Sequence, residues 1–487
     1  MWRCFMKGRA FSDGICALSL LLAVPLLASC GANSSKAELP PPPPPSQAPM
    51  ISVLFPSCAP AGEPVQLGVV GNNFLSSSVV RWNGSDRPTT MDAINGLVAQ
   101  ISASDVATAG TAEVTVFNPG SGGGTSNSST FTTMTGSASP QSIAVDPAGK
   151  FAYVADAGCN GGAGGYVSMY TIDPTTGALA STGPPVPTND GFTDSVTVDP
   201  SGKFAYVTSS GDVWDIDFGS IVTYSINPTT GALTPTTGGL IGTGVNGTPG
   251  YFNSMAFDPS GKFAYAADGG AFPEDVFGGS SSVSMYTLNS TTGALTSFGM
   301  IATESGPNSV ALDPTGKFAY VANFNSNDVS MYTIDATTGA LASIGTIAAG
   351  TQPVSYVEDP VGNFAYVANA GSNDLSMYTI NATTGALTSM GTISAGVVPI
   401  SVVVDPSGKF AYAVNFNSND ISMYTINATT GALTSTGTIT SGQSPTSIAI
   451  RPSGNFAYVT NSASNDISIY SIDGATGALT LIGTIGT

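Results

Sequence analysis

The sequence predicts an all-β chain in which a small β-sandwich is followed by a seven-bladed β-propeller. Three observations carry this. Of the 487 residues 59 are Gly and 33 are Pro, and only 9% are charged, a composition suited to short strands and tight turns. Val, Ile, Phe and Tyr recur at regular spacing, which a disordered chain does not show. From residue 138 to 487 one punctuated unit repeats seven times, the signature of a repeat architecture. At this length two or more domains are expected.

Residues 1–29 read as an export signal. Arg3, Lys7 and Arg9 precede an apolar run over residues 15–28 that is short for a membrane-spanning helix. The run ends in Leu27-Ala28-Ser29-Cys30, which resembles the lipobox of bacterial lipoproteins. The resemblance implies cleavage before Cys30 and diacylglycerol on its thiol, because the thioether needs sulfur. Residues 30–49 form a Pro-rich tether, with six consecutive prolines at 40–45 spanning about 19 Å as polyproline II. Such a rod holds a domain off a membrane. Of the remaining cysteines, Cys58 and Cys159 lie in the folded part. Two isolated thiols or one disulfide both fit the sequence.

Residues 50–134 alternate apolar and polar residues between turns, as in Val65-Gln66-Leu67-Gly68-Val69 and Glu113-Val114-Thr115-Val116-Phe117. Five or more strands in this stretch predict a β-sandwich. Pro56, Gly62, Gly71-Asn72-Asn73-Phe74, Trp82-Asn83-Gly84 and the closing Val114-Thr115-Val116 to Phe131 resemble the IPT/TIG family of immunoglobulin-like domains. The resemblance implies a spacer or protein-contact module. Arg81 and Arg87 are expected to be solvated.

In the repeats, Asp-Pro-x-Gly recurs at Asp146, Asp199, Asp258, Asp313, Asp359 and Asp405, and degenerates at Arg451. Proline presets the second position of a type I turn and glycine takes its left-handed exit. A tyrosine follows in Phe-Ala-Tyr, from Tyr153 to Tyr458, then a second tyrosine, from Tyr170 to Tyr470, then Thr-Gly-Ala-Leu. The unit reads strand a, turn, strand b, loop, strand c, turn, strand d. In strand b, Phe151 and Tyr153 share one face and Ala152 and Val154 the other. Two apolar faces suit a sheet covered on both sides, as radially stacked blades are. Each unit runs a to d in phase, which leaves the mode of ring closure open.

Length varies in one place. The two tyrosines lie 12 residues apart in units four to seven, but 17, 18 and 21 apart in units one to three. The d–a connection lengthens as well, most before Asp258. Connections b–c and d–a leave a meander on the same side, so the insertions crowd one face, where a rigid ring acquires a binding site. The propeller cations are Lys150, Lys203, Lys262, Lys317, Lys409 and Arg451, all in or beside a–b turns on the opposite face. The predicted loops of the elaborated face hold 14 carboxylates and no Lys or Arg. The candidate rim is Asp212, Trp214, Asp215, Asp217, Asp268, Phe272, Glu274 and Asp275. Rings beside carboxylates suit a neutral glycan or a protein partner. Asp212, Asp215 and Asp217 would suit Ca²⁺ as a weak site, although their spacing is no EF-hand loop and solvated loop acids are the plainer reading. No cofactor is required. Ser-Asn-Asp before Asp328, Asp374, Asp420 and Asp466 reads as turn chemistry, with a ring of metal-binding acids as the alternative. Glu358, at a position apolar in the other units, ends the innermost strand; an isolated carboxylate facing the central channel would have a raised pKa, and without a partner it is expected at a wet channel mouth.

The line Asp313-Pro314-Thr315-Gly316-Lys317-Phe318-Ala319-Tyr320-Val321-Ala322-Asn323, with Val329-Ser330-Met331-Tyr332-Thr333-Ile334-Asp335, resembles the 6-phosphogluconolactonase-like and YVTN-repeat propellers. The resemblance implies the fold. It associates lactonizing activity with histidine, arginine and glutamate about the central opening, whereas this chain has no histidine and one propeller arginine, Arg451. No catalytic residue is carried over. The net charge is −19, or −21 with 9 basic and 30 acidic residues after residues 1–29 are removed. Such a surface repels nucleic acid, and a phosphorylated lactone would lack the cations it needs. The expectation is a non-enzymatic binding protein, lipid-anchored in the cell envelope outside the cytoplasm. Its partners are the membrane through the lipid and a glycan or surface protein. Hydrolysis of an uncharged lactone is the competing reading.

Overall fold

Alternation of apolar and polar residues resolves into strands throughout: among the described residues of the computed structural model there is no helix. The structure describes residues 48–487 apart from 56–57, 63, 92–95, 121–122, 135–138, 159–164, 189–192, 210–218, 243–251 and 270–280. The leader, Cys30 and the tether up to residue 47 lie outside the described residues.

Met50–Phe55, Val65–Asn72, Leu97–Ile101 and Thr89–Met91 pair into one sheet. Cys58–Pro60, Ser129–Met134, Gly110–Asn118, Val79–Trp82 and Ser85–Asp86 pair into a second, with Gly124–Thr125 added to Gly110–Asn118. The inward residues of both sheets, among them Leu67, Val69, Val80, Ala99, Val114 and Val116, share one core, in which Trp82 packs on Phe131 at 4.9 Å. The two arginines are not merely solvated. Arg81 lies over the Phe117 ring at 4.0 Å and pairs with Asp86 at 2.7 Å. Arg87 grips both oxygens of Asp105 at 2.5 and 3.0 Å, holding that carboxyl below its ordinary pKa. Cys58 is disulfide-bonded, which excludes the reading of two isolated thiols; Cys159 lies outside the described residues.

Seven further sheets follow, each built of consecutive strands a–d in a simple meander, with strand d of the first blade split into Leu179–Ser181 and Val186–Pro187. In blade 4 these are Pro307–Leu312, Phe318–Asn323, Asp328–Ile334 and Leu341–Ala348. The a strands of the other blades are Pro140–Val145, Thr193–Val198, Phe252–Phe257, Pro353–Glu358, Pro399–Val404 and Pro445–Ile450. Neighbouring a strands touch all around the ring, including first to last, while d strands barely meet. The a strands therefore line the centre. The b strands are buried end to end, and the d strands, after a buried first residue, are exposed along most of their length.

The motifs explain the stacking. In the a–b turn, Asp146 Oδ1 accepts the Lys150 and Phe151 amides, both at 2.6 Å. Its carbonyl takes the Gly149 amide at 2.8 Å, with Gly149 at φ 65°. The b tyrosine is buried and donates its hydroxyl to the next blade's Thr-Gly-Ala-Leu glycine carbonyl. The pair Tyr320 to Gly385 is 2.8 Å long, and Tyr458 of the last blade reaches Gly177 of the first at 3.1 Å. The c tyrosine donates backward, as Tyr378 does to the Ala348 carbonyl at 2.8 Å. Tyr153 joins the core shared with blade 2, while Ala152 and Val154 join the core shared with blade 7, so large and small faces interlock as the sequence requires.

Candidate functional site

Because every blade is an a–b–c–d meander, all b–c and d–a connections leave one face and all a–b and c–d turns leave the other. The six propeller cations all sit at a–b turns. The separation of positive charge from the elaborated face is therefore built into the strand order.

On that face the connections are held by side chains. In blades 4 to 7 an Asn ends strand b, an Asp begins strand c and a Ser stands two residues on. Asn369 Nδ2 donates to Asp374 Oδ1 at 2.7 Å and to Ser376 Oγ at 2.9 Å. Its Oδ1 accepts the Gly350 amide of the d–a connection at 3.1 Å. The preceding asparagine takes a left-handed conformation, φ 61° at Asn327, and its Oδ1 accepts the Gln352 amide of the next blade at 2.7 Å. The Ser-Asn-Asp motif is thus turn chemistry, but its bonds reach across blades rather than staying local. Among the described residues no group of three or more His, Cys, Asp or Glu could hold a metal ion.

At the inner rim each a strand is bulged after its first residue. The residue there is Gln141, Asp194, Asn253 or Asn308 in blades 1 to 4, Val354 or Ile400 in blades 5 and 6, and Thr446 in blade 7, all half-buried. Asn253 Nδ2 bonds the Pro307 carbonyl at 2.9 Å and Asn308 Nδ2 the Val354 carbonyl at 2.8 Å. The polar arc takes in blades 1 to 3, which carry the insertions, and extends to blade 4 on one side and to blade 7 on the other. Half-buried Phe324 and Phe416 follow the strand-b asparagines of blades 4 and 6, beside the apolar arc. One step further along every a strand stands a serine, from Ser142 to Ser447. Long hydrogen bonds of 3.2–3.4 Å run to five of these serines, Ser142, Ser254, Ser309, Ser355 and Ser447, from the next blade's a-strand amide, as from Val402 to Ser355 and, across the closure, from Ile143 to Ser447. These amides belong to the free inner edge of strand a, which otherwise has no ladder partner.

Of the residues expected at the rim, Asp268 is described. It ends strand b of blade 3 with 7% exposure, at the register of Asn323 and Asn369. It belongs to the layer that holds the connections, below the surface a ligand would touch. Asp212, Trp214, Asp215, Asp217, Phe272, Glu274 and Asp275 lie outside the described residues. Sequence reasoning missed the serine ring and the divided rim, although Ser at one register in seven a strands was a readable signal. Glu358 is also placed differently than expected: it turns into the gap between blades 4 and 5, against Tyr356 and Gly362, rather than standing at a wet channel mouth.

The family model described as lactonase, 7-bladed beta-propeller, matches residues 105–243, 253–358, 357–449 and 436–487. The chain belongs to this family. The lactonase-family match begins inside the sandwich and runs to the last residue. Among solved structures, a candidate 6-phosphogluconolactonase from Bacteroides uniformis superposes with a TM-score of 0.54 at 21% identity, covering 69% of this chain and 93% of the other. One from Bacteroides fragilis gives 0.53 at 22%, covering 69% and 92%. The periplasmic gluconolactonase of Pseudomonas aeruginosa gives 0.54 at 18%, covering 68% and 93%. At these identities the likeness is one of fold. No curated protein matches the sequence. Chemically, this lactonase-family ring offers hydroxyls, side-chain amides and carboxylates on its elaborated face. The serine hydroxyls accept amides of the strand edge, and with no histidine in the chain none can be activated by an imidazole.

Proposed function

We propose that this chain is a lipid-tethered binding protein of the cell envelope, acting outside the cytoplasm through the b–c/d–a face of its propeller. Its ligand is an uncharged, hydroxyl-rich molecule of the glycan class. The immunoglobulin-like sandwich and the Pro-rich tether space the ring from the membrane through lipidated Cys30. The observation that carries this reading is the absence of Lys and Arg from every b–c and d–a connection. Such a face disfavours phosphorylated and carboxylated ligands, and its amides, carboxylates and half-buried rings match sugar hydroxyls and sugar faces. The disulfide at Cys58 supports an oxidising compartment. Binding of the full chain in detergent to an array of neutral and anionic glycans tests it. Retention on neutral glycans is expected; retention on anionic glycans alone would overturn the reading.

A second reading, hydrolysis of an uncharged lactone, is favoured by the family match. Incubating the full chain with a panel of uncharged lactones, with and without chelator, separates the two. Chelator-sensitive turnover that disappears in Asp215→Ala would replace the binding reading and assign Ca²⁺ a role.

A further inference from the structure

On the face opposite the insertions, the inner end of blade 5 departs from all its counterparts at three positions and, together with blade 7, at a fourth. Strand a ends in Glu358, where the other blades carry Val145, Val198, Phe257, Leu312, Val404 and Ile450. Tyr356 stands where they carry Ile, Val or Met. In the turn, Val361 is 70% exposed, whereas Ser201, Ser260, Thr315 and Ser407 bond their turn aspartates at the same place. Asn363 replaces the lysine of blades 1 to 4 and 6.

These departures meet in one spot. The Tyr356 ring stacks on Tyr320 of blade 4 with centroids 5.0 Å apart and planes 12° from parallel. Its hydroxyl donates to Glu358 Oε1 at 3.3 Å. Glu358 Oε2 is buried with no hydrogen-bond partner. A Cβ built on Gly362 would lie 3.6 Å from that oxygen and 3.2 Å from Pro314 Cδ of blade 4, so turn and neighbour together cap the carboxyl. The other titratable groups facing it are Asp313 of blade 4's turn, Asp359 of its own turn and Tyr320, with Tyr378 facing Tyr356. All are acids or phenols. Among the described residues the ion pairs are Arg81–Asp86 and Arg87–Asp105 of the sandwich, so no cation pairs with Glu358. Burial foremost, then Asp313, pushes the Glu358 pKa up to about 8, against the pull of the Tyr356 hydroxyl.

We propose that Glu358 is a proton-operated latch between blades 4 and 5, closing the seam when neutral and parting the turn to admit water when ionised. In the unfolded chain Glu358 has an ordinary carboxyl pKa. Between that value and the folded one, the native protein holds one more proton than the unfolded chain. Stability is therefore lost as pH rises through this window and levels off above the folded value.

Unfolding of the full chain is followed from pH 5 to 9 in the wild type, Glu358→Gln and Glu358→Leu, the last restoring the Leu312 type that blade 4 tolerates. Across the window the wild-type unfolding constant is expected to rise about tenfold per pH unit relative to either variant. At pH 9, amides of residues 361–364 should exchange faster in the wild type than in Glu358→Gln. Parallel pH profiles for all three proteins, or equal exchange in the turn, would overturn the proposal.

Discussion

A tyrosine hydroxyl and a glycine carbonyl decide how one blade meets the next. Gly385 has φ 72°, and a Cβ there would lie 2.3 Å from Phe318 Cδ1. Glycine therefore does two things at once: it turns the chain and lets the turn rest on the neighbour's phenylalanine. Replacing Tyr320 by Phe removes the donor to the Gly385 carbonyl and leaves a buried acceptor without its partner. A loss of about 1–2 kcal/mol in denaturant unfolding is expected. Gly385→Ala is expected to cost about 1–3 kcal/mol more than Gly261→Ala. Both glycines are left-handed, with φ 72° and 67°, but Gly261 has open space where its Cβ would be, so the difference isolates the collision. Equal losses for the two alanines would mean that the Phe318 contact yields freely. Phe-Ala-Tyr and Thr-Gly-Ala-Leu were legible as strand and turn because their local geometry is written in adjacent residues. Their meeting was not, because the partners belong to different repeats and only the ring brings them together.

At the scale of the element, the connections of the elaborated face follow a rule about carboxylates. Blades 4 to 7 pair a strand-b Asn with a strand-c Asp, as Asn323 pairs with Asp328. Where strand c begins with Tyr166 or Ser282 instead, strand b ends in Asp156 or Asp268. The acid moves to the other strand, and Asp156 Oδ2 then accepts the Ser168 hydroxyl at 2.7 Å. The insertions of blades 1 and 3 thus keep one carboxylate per anchor while changing its side. The residue before strand a is left-handed in these connections, at Gly306, Gln352, Val398 and Ser444. Val398, with φ 59°, is β-branched and poorly suited to that region. Its amide is fixed by Asn373 Oδ1 at 2.7 Å and its carbonyl by the Phe416 amide at 2.8 Å, which holds the strain in place. Val398→Asn is expected to stabilise the protein by about 1 kcal/mol, read as a higher denaturant midpoint at unchanged slope. An unchanged or lower midpoint would show that Val398 packs well enough to offset its backbone. The asymmetry of the faces was legible because loop length and charge can be read directly against the repeat. The rim chemistry was not, because the bulge that turns Asn253 and Asn308 toward the next blade has no mark in a single repeat.

For the whole molecule, the decisive feature is that the ring closes in phase. No strand of the first blade completes the last, so the interface of blades 7 and 1 is held by side chains and edge contacts alone. Ser139 donates its amide to Asn465 Oδ1 at 3.0 Å, and Arg451 Nε bonds the Gly149 carbonyl at 2.8 Å. Ile143, Val154, Tyr458 and Ile467 share one core there. The two tyrosine bonds of this interface are 3.1 and 3.3 Å long, close to the 3.1 Å of both counterparts between blades 1 and 2, so the closure differs from its neighbour in connectivity rather than in these bonds. Every other interface is also bridged by a d–a connection, which limits how far two blades can part. Opening should therefore begin at the closure, where separation costs contacts but meets no covalent restraint. In native-state hydrogen exchange, amides of Pro140–Val145 and Pro445–Ile450 are expected to lose protection before those of Pro307–Leu312 and Pro353–Glu358. Tyr458→Phe should hasten exchange in blades 1 and 7 together. Tyr320→Phe, which removes the same bond inside the continuous chain, should leave that pair unchanged. Uniform protection of all four strands would show that the side-chain contacts hold the closure as firmly as a bridged interface, and that the ring opens as one unit.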